Sequence, residues 1–234
     1  MRGPAPENNF NTPQPGVVHV PDVIPIFPLP KVVLLPGEVL PLHVFEPRYT
    51  EMVADAIASH RVIGMVEVMP GFENDLSAPP VRKIGCAGLI TQHEQLPDGR
   101  YLLWLIGLER FRIDSELDPG TSYRQARVEY IPADESSQRL AGIRPLRQEL
   151  RSLLPGLADL DDASREQFAR HMSEISDSQL IALACQILEV PSERKQEILE
   201  ADALSDRFLM MYEDLYRHLD RNPGFEAVQP EELN

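Results

Sequence analysis

Cysteine is scarce: Cys86 and Cys185 are the only two thiols in the chain, and they stand in unrelated contexts. A disulfide framework is therefore excluded, and both read as reduced, buried side chains. Positive charge is also short. The 22 Lys and Arg against 37 Asp and Glu leave a net charge of −15, which repels a phosphate backbone and argues against nucleic acid as a partner. No apolar run approaches the ~20 residues that span a bilayer, and the first residues lack the basic start and apolar middle of a signal peptide. The chain is expected to be cytoplasmic, with no membrane partner. Catalytic and metal motifs are missing as well. No Gly-x4-Gly-Lys-Ser/Thr phosphate cradle occurs. No Cys-x2-Cys or His-x3-His spacing links the cysteines with His19, His43, His60, His93, His171 and His218, so neither a metal nor a cofactor is expected.

What the chain does have is proline, 22 of them, and a hydrophobic content of 43% that suffices for a real core. Residues 1–22 carry Pro4, Pro6, Pro13, Pro15 and Pro21 among polar residues and read as a flexible tail. From Val23 the prolines cut short apolar runs: Ile24 to Leu29, Val32 to Leu35, and Val39 to Phe45. These read as strands whose prolines restrict edge pairing. Pro36-Gly37 is a type II turn signal, and Glu46-Pro47 starts a helix whose Tyr49, Met52, Val53, Ala56 and Ile57 form one buried face. Val62 to Val68 is a further strand, and 70–80 a loop. Ile84 to Glu94 and Tyr101 to Ile106 form a hairpin around Asp98-Gly99, followed by strands over Glu109 to Ile113 and Tyr123 to Ile131.

After Pro132 the pattern turns helical: Gln138 to Leu154, Arg165 to Glu174, Ser178 to Leu188, Ser192 to Glu200 and Ser205 to Leu219. Residues 1–131 hold 11 basic and 16 acidic side chains, residues 132–234 hold 11 and 21, so acidity concentrates in the helical part. The expected organisation is a β-rich unit over 23–131, a helical unit over 132–221, and a second tail over 222–234.

The run Pro25-Ile26-Phe27-Pro28-Leu29, through Pro36-Gly37, to Leu40-Pro41-Leu42-His43-Val44-Phe45-Glu46-Pro47-Arg48-Tyr49 resembles the opening of the N-terminal domain of Lon ATP-dependent proteases. Gly85 to Ile90, Pro97 to Arg100, Gly107 to Ile113, Lys195 to Glu200 and Asp206-Arg207-Phe208 continue the resemblance in order, over roughly Val23 to Leu219. It implies an α+β fold, a PUA-like six-stranded pseudo-barrel followed by a C-terminal helical bundle. It also implies recognition of unfolded or tagged polypeptides. The ATPase module and the Ser-Lys protease domain of full Lon proteases have no counterpart in this sequence. The expectation is a non-catalytic recognition module, alone or docking to a protease or chaperone, and the family's activity does not transfer with its fold.

The competing chemical readings are local. Ser192 and Lys195 match a Ser-x-x-Lys spacing, but Pro191 and the following amphipathic run make Ser192 an N-cap. Cys86, between Gly85 and Ala87, reads as a buried thiol in a strand, and Asp159 to Asp162 as helix-capping acids. Candidate polypeptide-binding residues are Leu34, Leu35 and Pro36, expected to be exposed beside a turn; Met69 and Phe72 on the loop; and Glu46 with Arg48, able to hold a ligand terminus or to organise the turn. Phe27 and Phe45 are expected in the core. Two other classes stay in view: RNA binding, which lacks a basic stripe, and a small-molecule enzyme using a barrel–bundle cleft.

Overall fold

The computed structural model describes residues 20–75, 78–118, 120–132, 142–158 and 160–221. Six strands come first: β1 (Val23–Leu29), β2 (Val39–Val44), β3 (Val62–Glu67), β4 (Ile84–Gln95), β5 (Tyr101–Glu116) and β6 (Gln125–Ile131), with helix α1 (Pro47–Ala58) between β2 and β3. Among the described residues five named helices follow: α2 (Arg144–Leu157), α3 (Asp162–Met172), α4 (Asp177–Ile187), α5 (Ser192–Glu200) and α6 (Leu204–Arg221). The fold is α+β, as expected. The expected tails, residues 1–19 and 222–234, lie outside the described residues, as does the expected helix start at 138–141.

The sheet runs β2-β5-β4-β3-β1-β6, and an additional β5–β6 pairing closes β5-β4-β3-β1-β6 into a ring. Only β1 and β3 run parallel, and α1 makes the crossover that a parallel pair requires. Alternation along the ring strands turns Ile24, Ile26, Val62, Val66, Ala87, Phe111 and Val128 inward to form one buried cluster. The other faces carry Phe27, Ile63, Met65, Cys86 and Leu105, which share a second cluster with α1 and with the helices through Leu150, Leu180, Ile198, Phe208 and Leu215.

β5 is one strand of 16 residues, where the sequence suggested two separate ones. Its Gly107 does not break the strand. It lies opposite Gly88 of β4, and the pair leaves a trough. A Cβ on Gly107 would sit 2.1 Å from the Leu35 carbonyl oxygen, and one on Gly88 would sit 3.0 Å from a Leu34 methyl. The segment Val32 to Leu35, expected as an exposed strand, occupies that trough as irregular chain with Leu34 and Leu35 buried. Lys31, at φ +59°, turns the chain into it, and the Leu35 N–H donates to Glu38 Oε2 at 2.9 Å in place of a strand partner. Gly37 takes φ +83°, as the turn reading required, and packs against Gln179 of α4.

Local signals place the helices. Pro47 stands at the start of α1, and Ser176 and Gln179 form a reciprocal capping box at α4. Asp161 caps α3 by accepting from Ser164 N at 2.8 Å. At α5 the cap is Pro191, so Ser192 is the first helical residue and its side chain caps nothing.

A polar seam docks α5 onto the strands. Lys195 Nζ lies 2.7 Å from Glu38 Oε1, and Gln196 Nε2 donates to Ile84 O at 3.0 Å. Arg110 of β5 donates to Leu199 O and Ala201 O at 2.9 and 2.7 Å, while Arg207 donates to Ala201 O and Asp202 O. Two buried guanidinium groups thus meet the carbonyl end of a helix, where the macrodipole favours cations.

Candidate functional site

β2 and the first half of β5 project beyond the ring as a shelf, with β4 on the far side of β5. Strand alternation gives this shelf two faces. Leu40, Leu42, Val44, Leu103 and Leu105 point back into the core. Val39, Pro41, His43 and Trp104 point the other way and are exposed, with Leu102 and Ile106 half-buried beside them. Phe45 follows at the strand end, its ring 6.0 Å from that of His43 in an edge-on arrangement. Exposure reaches 49% for Val39, 38% for Trp104 and 64% for Phe45. A contiguous run of large apolar side chains left in water on one sheet face is the usual mark of an interaction surface.

The same shelf ends in an unpaired edge. Among the described residues, β2 pairs with β5 alone. Gly107 N–H donates to Glu38 O, and Gly37 N–H to Gly107 O, while Trp104 O accepts from Thr91 on β4. Odd-numbered residues of β5 therefore bond toward β2, and their partners there are Leu40 and Leu42. Alternation turns the backbone groups of Val39, Pro41 and His43 outward, to the free edge.

The expected site residues do not converge. Leu34 and Leu35 are buried in the glycine trough, which corrects their expected exposure, and Pro36 is half-buried with its Cα over Gly107. Glu46 and Arg48 are joined through Glu46 Oε2 at 3.1 and 3.0 Å, with the guanidinium 4.5 Å above the Tyr49 ring. That arrangement organises the entry to α1. Met69 and Phe72 are exposed on a turn in which Gly71, at φ +89°, donates to the Glu73 carboxylate. Phe27 is buried as expected; Phe45 is not. The signal for the shelf is visible in hindsight: Val39 to Phe45 and Leu102 to Ile106 are apolar on both faces, one face more than a core needs.

Cys86 and Cys185 are buried, and burial pushes both thiols up, Cys185 to about 12 and Cys86 further. Neither is poised as a nucleophile. The small-molecule alternative needs a cleft at the junction between strands and helices. Between Leu35, Arg110, Ile198 and Arg207 a cavity of about 10 Å3 remains, room for about one water molecule. A wider groove of about 760 Å3 runs past Pro79, Val81, Ile113 and Leu117. Arg124, on its wall, is held by both Glu116 oxygens and by Pro79 O. No helix among the described residues is long and apolar enough to cross a membrane.

Comparison with known proteins agrees with this architecture. Lon protease 2 of Myxococcus xanthus is 31% identical over 214 residues, covering 87% of this chain and 25% of that protein. The Lon protease of Anaeromyxobacter dehalogenans is 31% identical, covering 85% and 23%. The chain thus spans about a quarter of the length of these bacterial relatives. Among solved structures, the N-terminal domain of a Mycobacterium avium complex Lon protease superposes with a TM-score of 0.66 at 18% identity, covering 84% of this chain and all of that one. A Lon N-terminal domain protein from Xanthomonas campestris gives 0.55 at 20% identity. Residues 23–217 match the family model itself, so the chain belongs to the family of ATP-dependent protease La (LON) substrate-binding domains.

Proposed function

We propose that this protein is a cytoplasmic, non-catalytic module that captures unfolded polypeptides on the β2–β5 shelf and presents them to a protease or chaperone. The carrying observation is the apolar face of Val39, Pro41, Phe45 and Trp104, left in water on a domain of a substrate-binding family. Two chemical facts support it. On that face of β2 and the first half of β5 the one ionisable side chain is His43, so a segment laid across Val39, Pro41 and Trp104 displaces water from apolar surface. And the cavity between Leu35, Arg110, Ile198 and Arg207 is too small for a metabolite.

Trp104 is the only tryptophan in the chain, so its emission reports on the shelf directly. Titration with reduced, carboxymethylated ribonuclease A, which has no tryptophan of its own, is expected to shift that emission to the blue. The added carboxylates remove any electrostatic attraction to a chain of net charge −15. Phe45→Ser alters an exposed side chain and should leave the fold intact while weakening binding about tenfold, as loss of one buried aromatic contact implies. An unfolded polypeptide that leaves the Trp104 emission unchanged at saturating concentration would falsify the proposal.

A further inference from the structure

We infer that the free edge of β2 takes an extended segment as an added strand, bonded in both directions at Val39 and His43 and in one direction only at Pro41. The inference rests on the polypeptide-binding reading and specifies how the backbone is held. Side-chain burial alone would make the shelf a non-directional apolar surface. The edge adds something else, a row of amide groups repeating every second residue, about 6.8 Å apart. Only another extended backbone offers donors and acceptors alternating at that spacing.

The row is defined by bonds already described. Glu38 O and Gly37 N engage Gly107 of β5, so Leu40 and Leu42 continue that ladder, and Val39, Pro41 and His43 face away from it. Pro41 has a carbonyl but no N–H. Opposite it, an added antiparallel strand can donate to Pro41 O, while its own carbonyl there finds no donor. Val39 and His43 retain full pairing capacity, one on each side.

Pro41 also selects the occupant. Two copies of β2 pairing about a two-fold axis in the register that sets Val39 against His43 would place Pro41 opposite Pro41, where neither chain has an N–H and two carbonyls face each other unbonded. A foreign segment with an ordinary residue at that position keeps one bond there. The edge is thus worse at pairing with itself than with an unrelated extended chain, and prolines on edge strands are a recognised guard against self-pairing. Side chains of the added strand that point to the shelf's bare face meet Val39, Pro41 and Phe45 beside them, with Trp104 one strand further on.

The probe is a fluorescein-labelled nonapeptide alternating leucine and threonine, with two isomers N-methylated on alternate residues, so that each isomer has one blocked edge. Anisotropy with the intact protein is expected to show that one isomer binds as the parent does and the other at least about tenfold more weakly, because blocking one edge removes several backbone bonds. Amide exchange of the parent complex is expected to slow at Val39 and His43 and to stay unchanged at Leu40 and Leu42. A parent peptide that binds while its two isomers bind equally, whether tightly or weakly, overturns strand addition and leaves polypeptide capture standing. A parent peptide that does not bind overturns both. As an independent check, His43→Pro removes one outward donor without touching the β5 ladder. It should weaken the parent peptide about fivefold relative to His43→Ala, and equal affinities would count against the edge.

Discussion

At the scale of single residues, the least replaceable positions are those where the chain has no room. Gly107→Ala places a methyl 2.1 Å from Leu35 O, backbone that cannot rotate away, so the trough must open. The expected loss is at the upper end of the ~1–3 kcal/mol seen for overpacking, read as a lower urea midpoint. Gly142→Ala meets nothing within 4 Å and serves as the neutral control. Glu67 gives a prediction of the opposite sign. Burial raises its carboxyl above the ordinary value, against the pull of Arg82 at 3.7 Å. A raised carboxyl stabilises the fold below the ordinary value, and that contribution is lost as pH climbs through the raised one. Glu67→Gln should therefore raise Tm near pH 7 and match the parent near about pH 4. A Tm difference independent of pH would show that the charge of Glu67 is not the cause. Neither position could be read in advance. The pairing of Gly88 with Gly107 is a register fact spanning two strands, and the surroundings of Glu67 are assembled from β3, the 82–84 segment and α5.

At the scale of elements, local chemistry was legible. The cap among Asp159 to Asp162 and the Pro47 start, both expected, lie within one turn of the residues they act on, whereas the expected Ser192 cap is displaced by Pro191, and the expected helix spans differ from the observed ones by a few residues at most of their ends. What misled was apolarity without periodicity. Val32 to Leu35 has β-branched residues and leucines but lies as irregular chain, because the glycine trough and Glu38 meet its needs instead of a ladder. Phe45 looked like core because nothing in Val39 to Phe45 distinguishes the face that is covered from the face that is not. The edge strand itself supplies a test. Pro41→Val restores the missing outward donor while leaving the β5 ladder unchanged, so the variant should self-associate at concentrations where the parent is monodisperse by sedimentation velocity. If the variant sediments as the parent does, Pro41 is not what restrains the edge.

At the scale of the molecule, the division into residues 23–131 and 132–221 is a division of pattern. One cluster of buried side chains joins Leu34, Leu105 and Ile63 of the strand part with Leu150, Leu180 and Phe208 of the helical part, and at the seam the buried Arg110, Glu38 and Gln196 each bond across to the other part. We propose that the two parts fold as one cooperative unit. A fragment ending at Pro132 should lack near-ultraviolet circular dichroism and expose apolar surface to dye, whereas a fragment that is monomeric with native-like signal would show autonomous folding. The sequence resemblance reached the family and the α+β class because those depend on many separated positions. It could not reach the site, which depends on what the rest of the molecule leaves uncovered.

β5 serves two structures at once. Its first half is the middle of the shelf, its second half belongs to the closed ring, and no turn interrupts its 16 residues. Trp104 and Arg110 are six positions apart on one rod that carries a register shift between Gly107 and Arg110, and Arg110 holds Leu199 and Ala201 where α5 gives way to α6. No loop therefore separates the place on β5 that faces water from the place that anchors the helices. A tug along the shelf loads its ladder in shear and travels down the rod as tension, so the mechanical response of the helical end should track load applied at Trp104.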